Sequence, residues 1–152
     1  MTDAFDDLKD AVKGNDGICF VPGGAEVRRG WNNIVYRAGL SAKNVGSAKL
    51  SMNLATIPPG GVALAHVHVD FEVMLYILEG RVRHEYGEGL ALSVENGPGD
   101  LIYIEPGVPH EVFNLSDSEP VRAVVARSDA SEWENIVSYD RATGQVGGTS
   151  DR

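Results

Sequence analysis

The sequence predicts an all-β domain, an antiparallel sandwich or small barrel, and three observations carry that reading. Eighteen glycines and seven prolines in 152 residues are enough turn formers to join many short strands. From Ile18 onward apolar residues recur with a period of two, and no convincing helix interrupts them before the C-terminal segment. Turn chemistry then falls between the runs, at Pro58-Pro59-Gly60-Gly61, Glu79-Gly80, Gly87-Glu88-Gly89, Asn96-Gly97-Pro98-Gly99 and Pro106-Gly107.

Taken in order, Phe5, Leu8 and Val12 fall at i, i+3 and i+7, which predicts a short amphipathic helix over residues 3–13 ending at Gly14. Strands are expected at 33–37, 49–56, 72–78, 81–86, 90–94, 100–104, 110–114, 121–127 and, more weakly, 136–139. The run 49–56 shows the period best, with Leu50, Met52 and Leu54 on one face and Lys49, Ser51 and Asn53 on the other. The stretch 144–152 is rich in Gly, Ser and Thr and reads as a disordered tail. The chain therefore divides into an acidic N-terminal helix or flexible segment (1–16), one barrel domain (17–143) and the tail (144–152).

Composition narrows the function classes. With 13 Lys+Arg against 22 Asp+Glu the formal net charge is −9, and the longest basic cluster is the pair Arg28-Arg29. Such a surface opposes binding to nucleic acid or to an anionic membrane. Cys19 is the single cysteine, so an intramolecular disulfide is excluded, and it has no basic or metal-site neighbour in sequence to activate it. The acidic start lacks the basic and apolar regions of a signal peptide, and no apolar run approaches the ~20 residues of a membrane helix. A soluble cytoplasmic protein is the expected class.

Two of the four histidines, His66 and His68, are separated by one residue just after the Pro-Gly turn. On a strand, i and i+2 face the same way, so both imidazoles can reach one point. Glu72 follows four residues later, and His110 opens another strand after the turn 105–109. Three neutral imidazoles and a carboxylate suit one divalent transition metal per chain, Mn, Fe, Co, Ni or Zn, and are too rich in nitrogen for Ca or Mg. A His-x-His pair alone is a weak signal, more often packing or surface. The combination of His66, His68, Glu72 and His110 with their surrounding glycines reverses that balance.

Those residues resemble the two motifs of the cupin superfamily. Gly60, His66, His68, Glu72 and Gly80 match the first; Gly99, Asp100, Gly107, His110 and Asn114 match the second. The resemblance covers roughly residues 47–128 and implies a double-stranded β-helix, a jelly-roll-like barrel, with the three histidines and Glu72 as metal ligands. The runs 76–80, 86–90, 99–104 and 116–120 are similar to small single-domain bacterial cupins, sometimes labelled sugar-phosphate-isomerase-like from fold similarity.

The sequence departs from the pattern in places. Seven residues separate Glu72 from Gly80 where six are usual, so a bulge is expected to turn Glu72 inward. Glu105 stands where the second motif usually has proline, at the expected barrel mouth. It is read as a solvated loop acid or as a catalytic group, accepting a proton or orienting the His110 ring. Phe71 stands where similar proteins often carry a further histidine, and is expected in the core or pocket wall. His84 lies in phase with Val82 and Tyr86, outside both motifs, and is read as a satisfied or surface histidine. Tyr36, Tyr76, Tyr103, Trp31 and Trp133 are read as core or interface, with pocket lining as the alternative.

The function expected is a metal-dependent enzyme acting on a small oxygenated metabolite, by isomerase, lyase or dioxygenase chemistry. The alternative is a binding module that senses or stores a small ligand. Resemblance further implies a homodimer paired through N-terminal strands in the region 18–35.

Overall fold

The computed structural model describes residues 6–15, 17–23, 27–131 and 135–149. Trp133 lies outside the described residues. A short helix, α1 (Asp6–Asp10), precedes a two-stranded ribbon of β1 (Lys13–Asn15) and β2 (Ile18–Phe20). Of the helix expected over 3–13, residues 3–5 lie outside the described residues and the helix ends at Asp10; Gly14, expected as its end, lies instead in β1 at φ +92, where a Cβ would sit 2.6 Å from the Ile18 carbonyl oxygen.

Two six-stranded antiparallel sheets follow. One contains β3 (Val27–Arg29), β4 (Val35–Leu40), β5 (Ser51–Ile57), β7 (Val73–Glu79), β10 (Leu101–Ile104) and β12 (Val121–Arg127), in the spatial order β10-β7-β12-β5-β4-β3. The other contains β6 (Val62–His68), β8 (Val82–Tyr86), β9 (Leu92–Asn96), β11 (His110–Asn114), β13 (Ile136–Tyr139) and β14 (Val146–Thr149), in the order β14-β13-β6-β11-β8-β9. A single turn of helix, α2 (Ala42–Val45), is capped by Ser41, whose hydroxyl accepts from the Lys43 amide. Among the described residues no helix is long and apolar enough to cross a membrane.

The core lies between the sheets, as alternation predicts. On β12, Val121, Ala123 and Val125 are buried while Arg122, Val124 and Ala126 are half-buried. Ile57, Ala63, Ile77, Val82, Val112 and Val121 form one cluster, and Phe71, Val73, Ile104, Val125 and Ile136 form a second. On β5 the period is as expected, and it is the polar face that turns inward. Ser51 and Asn53 are buried, whereas Met52 is 49% exposed. Pairing with β12 sets this, because Ser51 lies opposite Arg127 and Asn53 opposite Val125, all on the inner face.

Over 146–149 a strand stands in place of the expected tail, whose residues 150–152 lie outside the described residues. Asp140 closes a turn, its backbone N–H donating to the Gln145 carbonyl and its carbonyl accepting from Gly144 at 2.7 Å. Val146–Thr149 then pairs with β13. Arg141 ties this hairpin to the sheet by reaching Glu85 at 2.7 Å and Glu111. A Gly-rich composition here marks a hairpin rather than disorder.

Several motif positions are structural. Gly80 adopts φ +88, and a Cβ there would lie 2.6 Å from the Pro120 carbonyl oxygen. Asp100 accepts from the Gly97 amide at 2.9 Å and so closes its turn. Asn114 donates to the carbonyls of Ile57, Pro58 and Glu119 at 3.2, 3.0 and 2.8 Å and accepts from the Ser116 amide at 2.9 Å. One buried amide thus holds two turns together at the end of the barrel. We expect Asn114→Ala to strand these groups and cost about 2 kcal/mol, which for a chain of this size lowers the thermal midpoint by roughly 4–8 °C. A melt monitored by circular dichroism checks it, and an unchanged midpoint contradicts the assignment.

Candidate metal centre and inner cavity

Strand register assembles the centre. His66 pairs directly with His110, and the β6/β11 ladder slips by one residue between that pair and Val112 opposite Ala63. Ala63 and His66, three apart, both point inward; only such an irregularity allows it. His68 follows two residues after His66 on the same face. The three rings are buried, with centroids 4.3 Å apart for His66 and His110, 4.6 Å for His68 and His110, and 5.1 Å for His66 and His68. Each offers a ring nitrogen within 4.8 Å of the others'.

Hydrogen bonds set two of the tautomers. His66 Nδ1 lies 2.6 Å from the Leu64 carbonyl and His110 Nδ1 lies 2.9 Å from that of Val108. A carbonyl only accepts, so both Nδ1 atoms carry the proton and each Nε2 keeps a lone pair. Phe71 stacks on His68 at 5.1 Å, and the Trp31 ring stands edge-on to His66 at 6.3 Å. Burial lowers His66 and His68 well below the ordinary 6.5, helped by the charge of His110 and, more weakly, of Arg127. Burial likewise lowers His110 to about 4 against the opposing Val108 bond. All three are therefore neutral at pH 7, the form that ligates a metal. Three convergent neutral imidazoles, two pinned on carbonyls, fit a transition-metal ion.

Glu72 is not brought to this point. It is exposed, its carboxylate accepting from the Tyr103 hydroxyl at 2.7 Å and its amide donating to Ser128 Oγ at 2.8 Å. The bulge expected near Glu72 lies instead at the far end of β7. There Arg122 faces Glu79 while Ala123 faces Ile77, so Leu78 is the extra residue. The inward position with six residues before Gly80 is Val73, which is buried and lines the inner cavity. An aliphatic side chain therefore occupies the barrel-facing place expected for a carboxylate.

Glu105 is exposed at the mouth as expected, but the Val108 carbonyl, not Glu105, orients the His110 ring. It lines an outer pocket of about 310 Å³ with Tyr86, Tyr103, His84 and His110. The inner cavity, about 80 Å³, is lined by His66, His68, His84, His110 and Arg127, with aliphatic side chains and Tyr36 forming the rest. No carboxylate is among the described residues lining it.

Two of these residues escape the sequence reading. Arg127 is buried with its guanidinium 5.6 Å from the Tyr36 ring centroid. Its signal is the alternation Val121, Ala123, Val125, Arg127, which places it on the inner face. His84, read as satisfied or surface, is 5% exposed, and neither ring nitrogen has a hydrogen-bond partner. Its phase with the buried Val82 signals an inward ring. Such unpaired buried groups cost about 1–3 kcal/mol each, and burial lowers His84 to about 4, with the charge of His110 adding to it.

Two antiparallel sheets closed around an imidazole cluster and a small, mainly aliphatic cavity define a double-stranded β-helix barrel. The family model described as cupin domain matches residues 53–127, and the chain belongs to the cupin superfamily. Over 104 residues it is 28% identical to the bifunctional lysine-specific demethylase and histidyl-hydroxylase NO66 of Branchiostoma floridae, covering 68% of this chain and 17% of that one. An uncharacterised protein of Methanocaldococcus jannaschii is 36% identical over 74 residues, 45% of this chain and 53% of its own length. The chain thus spans only part of the curated relatives it matches. Among solved structures, the Lactobacillus farciminis oxalate decarboxylase formate complex superposes with a TM-score of 0.63 at 18% identity, over 74% of this chain and 33% of that one.

The depressed histidines make metal-free stability pH-dependent. Above the ordinary 6.5 both folded and unfolded chains carry neutral imidazoles, so the four contribute no pH dependence. As pH falls below 6.5 the unfolded chain takes up protons that the fold refuses, and stability drops by roughly 1 kcal/mol per pH unit for each imidazole. For His84 and His110 the loss levels off near their folded values of about 4. Urea midpoints of the metal-free protein are expected to fall steeply between pH 7 and pH 5; a flat profile contradicts the buried neutral cluster.

Proposed function

We propose that the protein is a metal-dependent enzyme acting on a small oxygenated metabolite, with His66, His68 and His110 holding one divalent transition-metal ion. The observation that carries this reading is the convergence of three neutral imidazoles, two anchored through Nδ1, on the wall of an inner cavity. A bound ion would supply Lewis-acid or redox chemistry to a carbonyl, hydroxyl or carboxylate placed against it. The chain's own residues do the rest. Aliphatic walls exclude water, and at about 10–15 Å³ for each water-sized volume the inner cavity admits roughly five to eight non-hydrogen atoms. Glu105, which lines the outer pocket with His84 and His110, would accept a proton from a substrate as it enters.

The second reading, a small-ligand binder without turnover, draws support from the inner cavity, whose described lining includes no carboxylate base. The two separate in one experiment: metal analysis of the purified protein, then incubation with small hydroxy and keto acids under air and under nitrogen. Turnover that consumes oxygen selects dioxygenase chemistry and anaerobic turnover selects isomerase or lyase chemistry. Saturable binding without product selects the binder, and a metal-free protein refutes the enzyme reading.

Two variants test the ligand assignment. His110→Ala is expected to lose the metal under competition with a chelator. Glu72→Gln is expected to retain close to one ion per chain, because its carboxylate lies outside the cluster and bonds Tyr103. Metal loss from Glu72→Gln contradicts the three-histidine site. For Glu105→Gln, metal content is expected to persist while turnover falls by roughly tenfold to a hundredfold; unchanged turnover returns Glu105 to a solvated loop acid.

A further inference from the structure

His84 is the one cavity histidine for which the metal reading provides no role. It is not among the three residues whose ligand atoms converge. Register nevertheless aims it inward: Tyr86 pairs with His110 and His84 with Val112, so His84 shares the inner face two residues from the Tyr86–His110 pair. Its ring is 5% exposed, and both nitrogens lack a hydrogen-bond partner. His66 and His110, by contrast, are each pinned by a backbone carbonyl through Nδ1. Position adds to this. His84, Ile104 and His110 line both the inner cavity and the outer pocket, so these three side chains mark the wall where the two spaces meet. A ligand that reached from the outer pocket to the histidine cluster by this wall would meet the His84 ring.

We propose that His84 is the orienting group of the site, hydrogen-bonding through its ring to a small ligand seated on the three-histidine centre, a molecule that carries a hydroxyl or carboxylate oxygen. A neutral imidazole presents one N–H donor and one acceptor nitrogen. It can therefore donate to a carboxylate or carbonyl oxygen and accept from a hydroxyl, a combination that a hydroxy acid satisfies in one molecule. The two unpaired nitrogens then acquire partners when the ligand binds, and their desolvation is already met in the folded protein. Apart from Arg127 and Tyr36 the remainder of the wall is apolar, which favours a short carbon skeleton, and the inner cavity limits its size.

This inference rests on the metal reading, and the experiment separates the two. The full-length protein is loaded with Co(II), its cobalt content measured, and its visible absorption followed while glycolate, a two-carbon hydroxy acid, is added. The same is done for His84→Phe, which removes both nitrogens while filling the space, and for His84→Gln, which keeps a donor and an acceptor. Circular dichroism establishes that each variant is folded, and His84→Gln stands in should the phenylalanine not be accommodated. We expect all three proteins to hold close to one cobalt per chain. Glycolate should perturb the wild-type spectrum, bind about tenfold more weakly or worse to His84→Phe, and fall between the two for His84→Gln. Equal affinity in wild type and His84→Phe overturns the role. Loss of cobalt from the folded His84 variants overturns it in favour of a fourth metal ligand. A cobalt-loaded wild type whose spectrum glycolate leaves unchanged overturns the ligand class, whereas a wild type that takes up no cobalt overturns the metal reading and this inference with it.

Discussion

The direct pairing of His66 with His110 across β6 and β11 is the constraint on which the rest of the site depends. In an antiparallel ladder, residues directly opposite share a face. Once these two are opposed, His68 follows from the period of two, and Tyr86 and His84 follow from the next ladder. The slip in β6 makes the pairing compatible with a buried Ala63, because three-residue spacing otherwise sends Ala63 and His66 to opposite faces. Moving β6 by one residue would carry both of its histidines to the outer surface. The flanking devices all act on that register: the Gly107 amide donates to the His68 carbonyl at 2.9 Å, and the Asn114 amide donates to that of Gly61 at 3.0 Å.

Much of this was legible in the sequence where a local rule suffices. His66 and His68 are two apart on a strand, and β11, β12 and β13 have the bounds that periodicity and turns predict. The fate of Glu72 was not, because it depends on where β7 absorbs its extra residue. A spacing of seven to Gly80 announces an irregularity without locating it, and with Leu78 as the bulge, Val73 faces in and Glu72 faces out. Which face of β5 turns inward was hidden for a similar reason: apolar Met52 and polar Asn53 alternate equally well either way, and only pairing with β12 selects the inner set. His84 and Arg127 carried a readable signal, since each continues the buried phase of its strand, but general preference places arginine at the surface and histidine between surface and core.

The barrel interior therefore holds more polar chemistry than stability alone favours. Four imidazoles lowered below their ordinary range and one guanidinium line a cavity whose other walls are mainly aliphatic. Fully apolar replacements of similar volume would avoid the desolvation of these groups. A fold of this kind retains them against that gradient at functional sites, where local rules and stability are both relaxed for chemistry. The two apolar clusters that wall the cavity are the compensating feature: Ala63, Val82 and Val112 in one lie on β6, β8 and β11, the strands that carry the histidines, and Val125 in the other lies on β12 with Arg127.

Val73 in the place of a carboxylate changes the electrostatics of anything bound there. Three neutral imidazoles contribute no negative charge, so a divalent ion on this centre would keep its full charge in a cavity whose described lining offers no anionic side chain. In low-dielectric surroundings that charge is compensated most effectively by the ligand itself. An anionic oxygen donor then gains more than a neutral one of the same shape, whereas a four-ligand site with its own carboxylate would discriminate less between the two. With a metal ion bound, the same outward turn that removes Glu72 from the centre would shift selection onto the charge of the incoming molecule, and in its proposed role His84 would select the orientation.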